Sequence, residues 1–304
     1  MMEQWIFMNG DYVRREDAKV SVFDHGFLYG DGIFEGIRSY DCNVFRLEEH
    51  VERLFESAKA ILLELPYSPT EVEDMVVKTL QKNELSSAYI RLVVSRGEGN
   101  LGLDPFACRN PQVIVIAEQL AMFPQEMYDA GTSLVTVATR RNRPDALNPK
   151  IKSLNYLNNI LIRIEAHQAG VSEALTLNTE GYVTEGSGDN VFVVKRGVLY
   201  TPPCYLGALD GITRRAVMEV AENMGYVVKE EPFTLHDVYT ADEVFLSGTA
   251  VEIMPVVRVD SRQIGDGRPG PHTHRLLEGF RKLTRQDGVK YTLTPVSSVH
   301  AELA

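Results

Sequence analysis

Three stretches of the chain carry residue types that could hold a small anionic or aromatic ligand. Gly207-Ala208-Leu209-Asp210-Gly211-Ile212-Thr213 is a glycine-containing turn that feeds a helical pattern. Backbone N–H groups at a helix start, joined by a threonine hydroxyl, make a phosphate cradle. An ordinary N-cap by Asp210 or Thr213 accounts for the same string. Thr184-Glu185-Gly186-Ser187-Gly188-Asp189-Asn190 sets a carboxylate among small residues just before an apolar run. Small neighbours let a flat ligand approach the backbone, and the carboxylate could take a ring N–H, although a solvated hairpin turn has the same composition. Ser247-Gly248-Thr249-Ala250 is either a second anion-binding turn or simply the end of a strand.

The elements that must position these turns follow from periodicity. Trp5–Met8 and Tyr12–Val13 flank Asn9-Gly10, a hairpin signal. Strand-like runs follow at Ile33–Tyr40 and Val44–Arg46. Leu47, Val51, Leu54, Phe55, Ala58, Ile61 and Leu62 recur at helical spacing, with Pro66 as the stop. A second helix is expected over Thr70 to Lys82, and strands over Ala88–Ser95 and Gln112–Ala117. Around Gln119–Gly131 the pattern breaks at Pro124, which reads as an interdomain connection. Beyond it, strands are expected at Ser133–Thr139, Ala174–Leu177, Asn190–Val194, Val198–Tyr200, Tyr226–Lys229 and Glu243–Leu246. Helices are expected at Leu154–Ala169, Thr213–Met224 and Pro271–Arg285, with Gly170 and Gly225 placed as left-handed caps. Strands and helices mix without a βαβ rhythm, and no G-x-G-x-x-G opens a helix after a strand. The expected class is α+β, in a smaller N-terminal domain (1–120), a connecting loop (121–131) and a larger C-terminal domain (132–304).

Composition narrows the function classes. The 304 residues hold 31 Lys+Arg against 42 Asp+Glu, for a formal charge of −11, with 44% hydrophobic and 24% charged residues. That balance is ordinary for a globular chain, and its acidity argues against nucleic acid or an anionic membrane as partner. Cys42, Cys108 and Cys204 are odd in number and far apart, which is no disulfide framework. The histidines show no metal-ligand spacing, so no metal is expected. The first residues lack a basic region and a long apolar stretch, and Val113–Ala117 is too short to span a bilayer; a cytoplasmic location is the expectation.

Ile151-Lys152-Ser153-Leu154-Asn155-Tyr156-Leu157-Asn158-Asn159 resembles the Schiff-base lysine segment of fold-type IV pyridoxal-phosphate enzymes, and Thr184–Asn190 resembles their downstream cofactor loop. His25 through Arg38, His50-Val51-Glu52-Arg53-Leu54, Leu209 through Arg214 and Ser247–Ala250 are similar to the same family, in the same order over nearly the whole chain. Phe34-Glu35-Gly36-Ile37-Arg38 and Ala88-Tyr89-Ile90-Arg91 resemble its branched-chain amino-acid aminotransferases. The resemblance implies the two-domain fold shared with D-amino-acid aminotransferases, with the cofactor between the domains. It further implies reversible ping-pong transfer of an amino group between L-leucine, L-isoleucine or L-valine and 2-oxoglutarate.

By the same resemblance, Lys152 bonds pyridoxal phosphate and moves a proton between substrate Cα and cofactor C4′; Lys150, two residues away, is the decoy. Glu185 pairs with the pyridine nitrogen. Arg53, Ile212, Thr213 and Thr249 take the phosphate, and Tyr156 the phenolic oxygen. Periodicity alone puts Arg53 opposite the apolar stripe, on a solvated face. Tyr89 and the N–H groups of Thr249 and Ala250 hold the α-carboxylate. Phe34, Tyr29, Tyr128 and Leu103 line the side-chain pocket, Tyr29 and Leu103 reaching in from a second subunit. Arg38 and Arg91 are the candidates for the distal carboxylate of glutamate, with a strand-end salt bridge the alternative for Arg91. The Gly99–Pro105 loop covers a neighbour's pocket, which implies at least a homodimer.

Within the family, D-amino-acid transaminases carry a histidine that Ser95-Arg96-Gly97-Glu98-Gly99-Asn100 lacks, and aminodeoxychorismate lyases generally lack the Tyr-Ile-Arg element. Both are the alternatives, together with a catalytically silent binding protein. Leu92 and Val251 depart from the commoner branched-chain pattern, and Val251 bears on the shape of the pocket.

Overall fold

The computed structural model describes residues 4–119 and 123–293. The chain opens with β1 (Trp5–Met8) and β2 (Asp11–Arg14). Asn9 and Gly10 between them both have positive φ, 52° and 106°, as the tight hairpin turn requires. There follow α1 (His25–Tyr29), β3 (Gly32–Tyr40), β4 (Asn43–Val44), α2 (Leu47–Ala60), α3 (Pro69–Lys82), β5 (Ala88–Ser95) and β6 (Gln112–Glu118). Next come α4 (Gln125–Ala130), β7 (Thr132–Thr136), α5 (Leu157–Gln168), β8 (Glu173–Leu175), β9 (Asn190–Lys195) and β10 (Val198–Thr201). The chain continues through α6 (Ile212–Asn223), β11 (Val227–Glu230), α7 (Leu235–Tyr239), β12 (Glu243–Gly248), β13 (Glu252–Val259), β14 (Arg262–Gln263), α8 (Pro271–Gln286) and β15 (Val289–Lys290).

Among the described residues the strands form two sheets. One has seven strands in the order β15-β4-β3-β5-β6-β1-β2, and the other runs β11-β10-β9-β12-β13-β7-β8, with β14 paired to β13 as its eighth strand. Each sheet has its own apolar core. The first packs Ile33, Ile37, Ile90 and Leu92 of the sheet against Leu47, Val51 and Leu54 of α2. The second centres on Phe192 and Phe245, whose rings stack 5.0 Å apart under α6 and α8. No helix of the described residues is long and apolar enough to cross a membrane.

Several boundaries differ from the sequence reading, each for a local reason. The first long helix ends at Ala60 because Leu62 turns left-handed (φ 52°), four residues before Pro66. The helix expected from Leu154 begins at Leu157, since residues 152–154 pair as a strand instead. The segment read as a patternless connection holds α4; its residues Leu120–Met122 lie outside the described ones. Strand β7 stops at Thr136, whose N–H and hydroxyl both donate to Asp260. Gly170 and Gly225 follow their helices with φ of 75° and 84°, where a side chain would be strained.

Candidate active site

Lys152 is fixed by the first sheet although it follows β7 of the second sheet in the chain. Phe34 N–H donates to the Lys152 carbonyl (2.9 Å), Leu154 N–H to Gly32 (2.9 Å), and Ile33 bridges Ser153. The segment thus adds a short strand to β3, while Lys152 N–H donates to Ser57 Oγ of α2 (3.2 Å). The side chain carries its amine to Tyr156 and Phe34. Its Nζ lies 3.4 Å from Tyr156 Oη and 4.7 Å from the Phe34 ring centre, and the Tyr156 and Phe34 rings meet edge-on at 4.9 Å. No carboxylate of the described residues forms an ion pair with this amine, so its position is set by backbone pairing and aromatic walls rather than by a counter-charge.

Arg53 is buried, not solvated: 5% of it is exposed. Helix α2 buries two faces, Leu47, Val51 and Leu54 toward the core and His50, Arg53 and Ser57 beside them. Glu35 on β3 offsets the burial of the guanidinium. Arg53 donates from Nε and Nη2 to its two oxygens (2.8 and 2.7 Å), and His50 Nδ1 sits 2.7 Å from Oε2. Burial alone would raise the Glu35 pKa, but the Arg53 charge and the His50 hydrogen bond outweigh it and bring it down to about 2. Burial lowers the pKa of His50 in spite of that same carboxylate. The remaining Arg53 nitrogen, Nη1, donates to the Asp210 carbonyl (2.7 Å), which puts the guanidinium at the turn leading into α6. Gly211 caps α6 without a side-chain hydrogen bond, so the first N–H groups, those of Ile212 and Thr213, are left for another acceptor.

Glu185 lies across from this cluster, 4% exposed. Its Oε1 pairs with Arg141 Nη2 (2.6 Å); its Oε2 accepts from Leu209 N–H (2.9 Å) and Asn190 Nδ2 (3.4 Å). Three segments therefore converge on one carboxylate.

The residues expected to meet substrate fall into three groups. Tyr89 and Arg91 sit on β5 beside Phe34: Arg91 Nη2 donates to Tyr89 Oη (3.1 Å), and its guanidinium lies 4.6 Å from the Phe34 ring centre. Gly36 is what admits Tyr89, because a Cβ there would collide with the tyrosine hydroxyl. Arg38 and Tyr128 instead brace the turn of Thr249 and Ala250 from behind. Arg38, 4% exposed, reaches the Ala250 carbonyl (3.3 Å) and pairs with Glu252 (3.3 Å); Tyr128 donates to the Val251 carbonyl (3.2 Å). Burial and the nearby Glu252 charge push the Tyr128 hydroxyl up to about 12, so it stays a donor. Tyr29 and Leu103 are not drawn into this network. Tyr29 donates to the Leu101 carbonyl (2.8 Å) and Leu103 is 79% exposed.

The donors fit pyridoxal phosphate. An uncapped helix start with Arg53 beside it suits a phosphate, a primary amine suits an aldehyde, and Ser247 Oγ is wholly buried with no hydrogen-bond partner among the described residues, next to the Gly248–Ala250 turn. The sequence reading missed Arg141 and gave no role to Glu35, His50 or Glu252. Glu35 and His50 stood inside motifs already singled out. Arg141 stands in Thr139-Arg140-Arg141-Asn142-Arg143, which reads as a solvated basic run and holds no signal.

Comparison with known proteins agrees with this geometry. A family profile described as Amino-transferase class IV matches residues 32–259. A putative branched-chain-amino-acid aminotransferase of Methanocaldococcus jannaschii is 51% identical over 285 residues, 94% of this chain and 98% of that protein. The crystal structure of the Escherichia coli branched-chain amino acid aminotransferase superposes with a TM-score of 0.90 at 40% identity, covering 93% of this chain and 95% of that one. A T.th. branched-chain amino acid aminotransferase complexed with N-(5'-phosphopyridoxyl)-L-glutamate gives a TM-score of 0.88 at 39% identity, covering 94% of this chain and 95% of that one. The fold these structures share is the fold-type IV one that the resemblance implied, and with the profile spanning three quarters of its length, the chain belongs to the class IV aminotransferases.

Proposed function

We propose that this chain is a branched-chain amino-acid aminotransferase, exchanging the amino group between L-leucine, L-isoleucine or L-valine and 2-oxoglutarate with pyridoxal phosphate as cofactor. The observation that carries the reading is the placement of the Lys152 amine against Tyr156 and Phe34, with the Glu185 carboxylate and the Arg53–α6 anion cradle contributed by different segments around it. Bound pyridoxal phosphate supplies an electron sink for the electrons of the substrate Cα–H bond. Arg53, Ile212, Thr213 and Thr249 hold its phosphate, Glu185 its ring nitrogen and Tyr156 its phenolic oxygen. Lys152 Nζ accepts the proton from Cα and returns it on the other side of the exchange. Tyr89 with the Thr249 and Ala250 N–H groups holds the α-carboxylate. Phe34 supplies an apolar wall for the side chain. Arg91, stacked on that wall, receives the distal carboxylate of glutamate, while Arg38 and Tyr128 keep the carboxylate turn in place.

The division into domains at 1–120 and 132–304, and a homodimer as the working unit, belong to the same proposal. Leu157, Ile160, Leu161 and Ile164 follow one face of α5 at i, i+3, i+4, i+7 spacing, and all four are exposed. Phe23, Phe27, Leu101, Leu103 and Phe106 add a second exposed apolar surface. A second copy covering both would bring the partner's Tyr29 and Leu103 to the pocket. Three free thiols at Cys42, Cys108 and Cys204 support a reducing, cytoplasmic location.

The test is a visible absorption spectrum of the pyridoxal-phosphate-loaded protein, with L-leucine and D-alanine added separately. Conversion to the pyridoxamine form by L-leucine alone is the expected result. Conversion by D-alanine alone would move the enzyme to the D-specific branch, and a protein that stays colourless with added cofactor would overturn the mechanism.

A further inference from the structure

The Glu185 carboxylate is held by an arginine that makes no other ion pair among the described residues. Arg141 is 7% exposed and works as a fork. Nη2 meets Glu185 Oε1 at 2.6 Å, while Nη1 donates to Asn158 Oδ1 (2.8 Å) and Asn159 Oδ1 (3.2 Å). Both asparagines are pinned in turn. Asn158 Nδ2 donates to the Arg140 carbonyl (2.9 Å), and Asn159 Nδ2 to the Ser187 carbonyl, two residues from Glu185 (2.7 Å). They lie in the first turn of α5, directly after Lys152 and Tyr156. The backbone of Arg141 is itself anchored, its N–H donating to Leu177 (3.0 Å). One planar guanidinium thus ties the carboxylate to the helix that continues the lysine segment, a geometry an ammonium group cannot copy.

We propose that Arg141 is a positioning residue for Glu185: it fixes which way the carboxylate faces and supplies the cation beside it, and Asn158 and Asn159 set the angle of the fork. This rests on the pyridoxal-phosphate reading above, in which Glu185 receives the ring N–H. A carboxylate so held has one oxygen committed to Arg141, and its orientation toward a ring nitrogen is decided before cofactor arrives. Without the guanidinium, the neutral donors of Leu209 and Asn190 are what remains on Glu185 among the described residues; both hold Oε2, and Oε1 is free to swing.

The experiment compares Arg141→Met, Arg141→Lys, Asn158→Ala and Glu185→Gln with the unaltered protein. It measures pyridoxal-phosphate affinity by absorbance titration of the cofactor-free protein, and the nitrogen-15 resonance of ring-labelled cofactor. Arg141→Met is expected to weaken binding about tenfold and to move the resonance in the same sense as Glu185→Gln. Arg141→Lys should recover part of both, and Asn158→Ala should give a smaller shift of the same sign. An Arg141→Met protein with an unmoved resonance and an affinity within about twofold of the original overturns the proposal. Should that variant fail to fold, Asn158→Ala decides: an unmoved resonance overturns the proposal, a shift toward that of Glu185→Gln upholds it. Failure of the functional reading looks different, because the unaltered protein itself would then take up no cofactor.

Discussion

Two buried carboxylate–arginine pairs, Glu35–Arg53 and Arg141–Glu185, run in opposite directions. Early in the chain Glu35 is the holder and Arg53 the proposed working group: both carboxylate oxygens are committed to the guanidinium, and the remaining Arg53 nitrogen donates to the α6 turn. Farther along the chain Arg141 is the holder and Glu185 the proposed working group, with the arginine's spare nitrogen bound to asparagines. On the function proposed above, the same ion pair would serve once to present a cation to a phosphate and once to present an anion to a ring. Burial makes either pair costly to break from one side, because the survivor is left charged without a partner.

That contrast can be broken in four places. The largest effect belongs to Glu185→Gln, which keeps shape and removes charge from a working group. Turnover with L-leucine should fall about a hundredfold, and the thermal midpoint should fall less than in a truncation, because the amide still offers Arg141 an oxygen though no charge; steady-state kinetics and a melting curve check both. Glu35→Ala should do the reverse. It removes a holder, so stability should drop by about 3 kcal/mol in urea unfolding, and pyridoxal-phosphate affinity should drop with it as Arg53 loses its orientation. If Glu35→Ala spares stability, the two pairs are not the opposites described.

A third, smaller effect is pH-dependent and comes from His50 in the Glu35 cluster. Burial lowers the folded-state pKa of His50, so below its ordinary value of about 6.5 the unfolded chain takes up a proton that the folded one refuses. Stability present above that pH should therefore drain away as pH falls through it toward the folded value. Buried Asp189, raised to about 8 by desolvation and the Glu173 charge, works in the opposite sense over the same range, so the check is a difference: between about pH 7.5 and about pH 5.5 the urea midpoint of the unaltered protein should fall relative to that of His50→Gln. The smallest effect is the control: separating the exposed Arg143–Asp145 pair by Asp145→Asn should leave the thermal midpoint where it was, although its geometry (2.7 Å) matches the buried pairs.

The first half of the fold is readable because its strands alternate and its helices carry clean stripes. The hairpin at Asn9-Gly10, the strand Ala88–Ser95 and the helix ending at Lys82 all lie where the periodicity puts them. Strand β13 is not readable. Its run Glu252–Val259 contains Pro255, which argues against an interior strand, yet Pro255 lies just before the stretch that β7 pairs, so no bond to that neighbour is lost. Periodicity misplaces Arg53 because a stripe shows only where apolar residues point. It cannot show that the polar residues beside them face a second buried surface. Arg141 is invisible for the same reason, as a buried and a solvated arginine are written alike.

The far end of the chain bears on how the molecule is made. Strand β15 completes the first sheet by pairing Val289 with Val44, and Tyr291 hydrogen-bonds Ser39 and Leu85. During synthesis, the edge at β4 therefore waits, unpaired, while some 245 further residues leave the ribosome, a count bounded by positions 44 and 289. An open edge is where nascent chains stick to one another. Here that edge is two residues long, which leaves little for a neighbouring chain to grip until the sheet is closed.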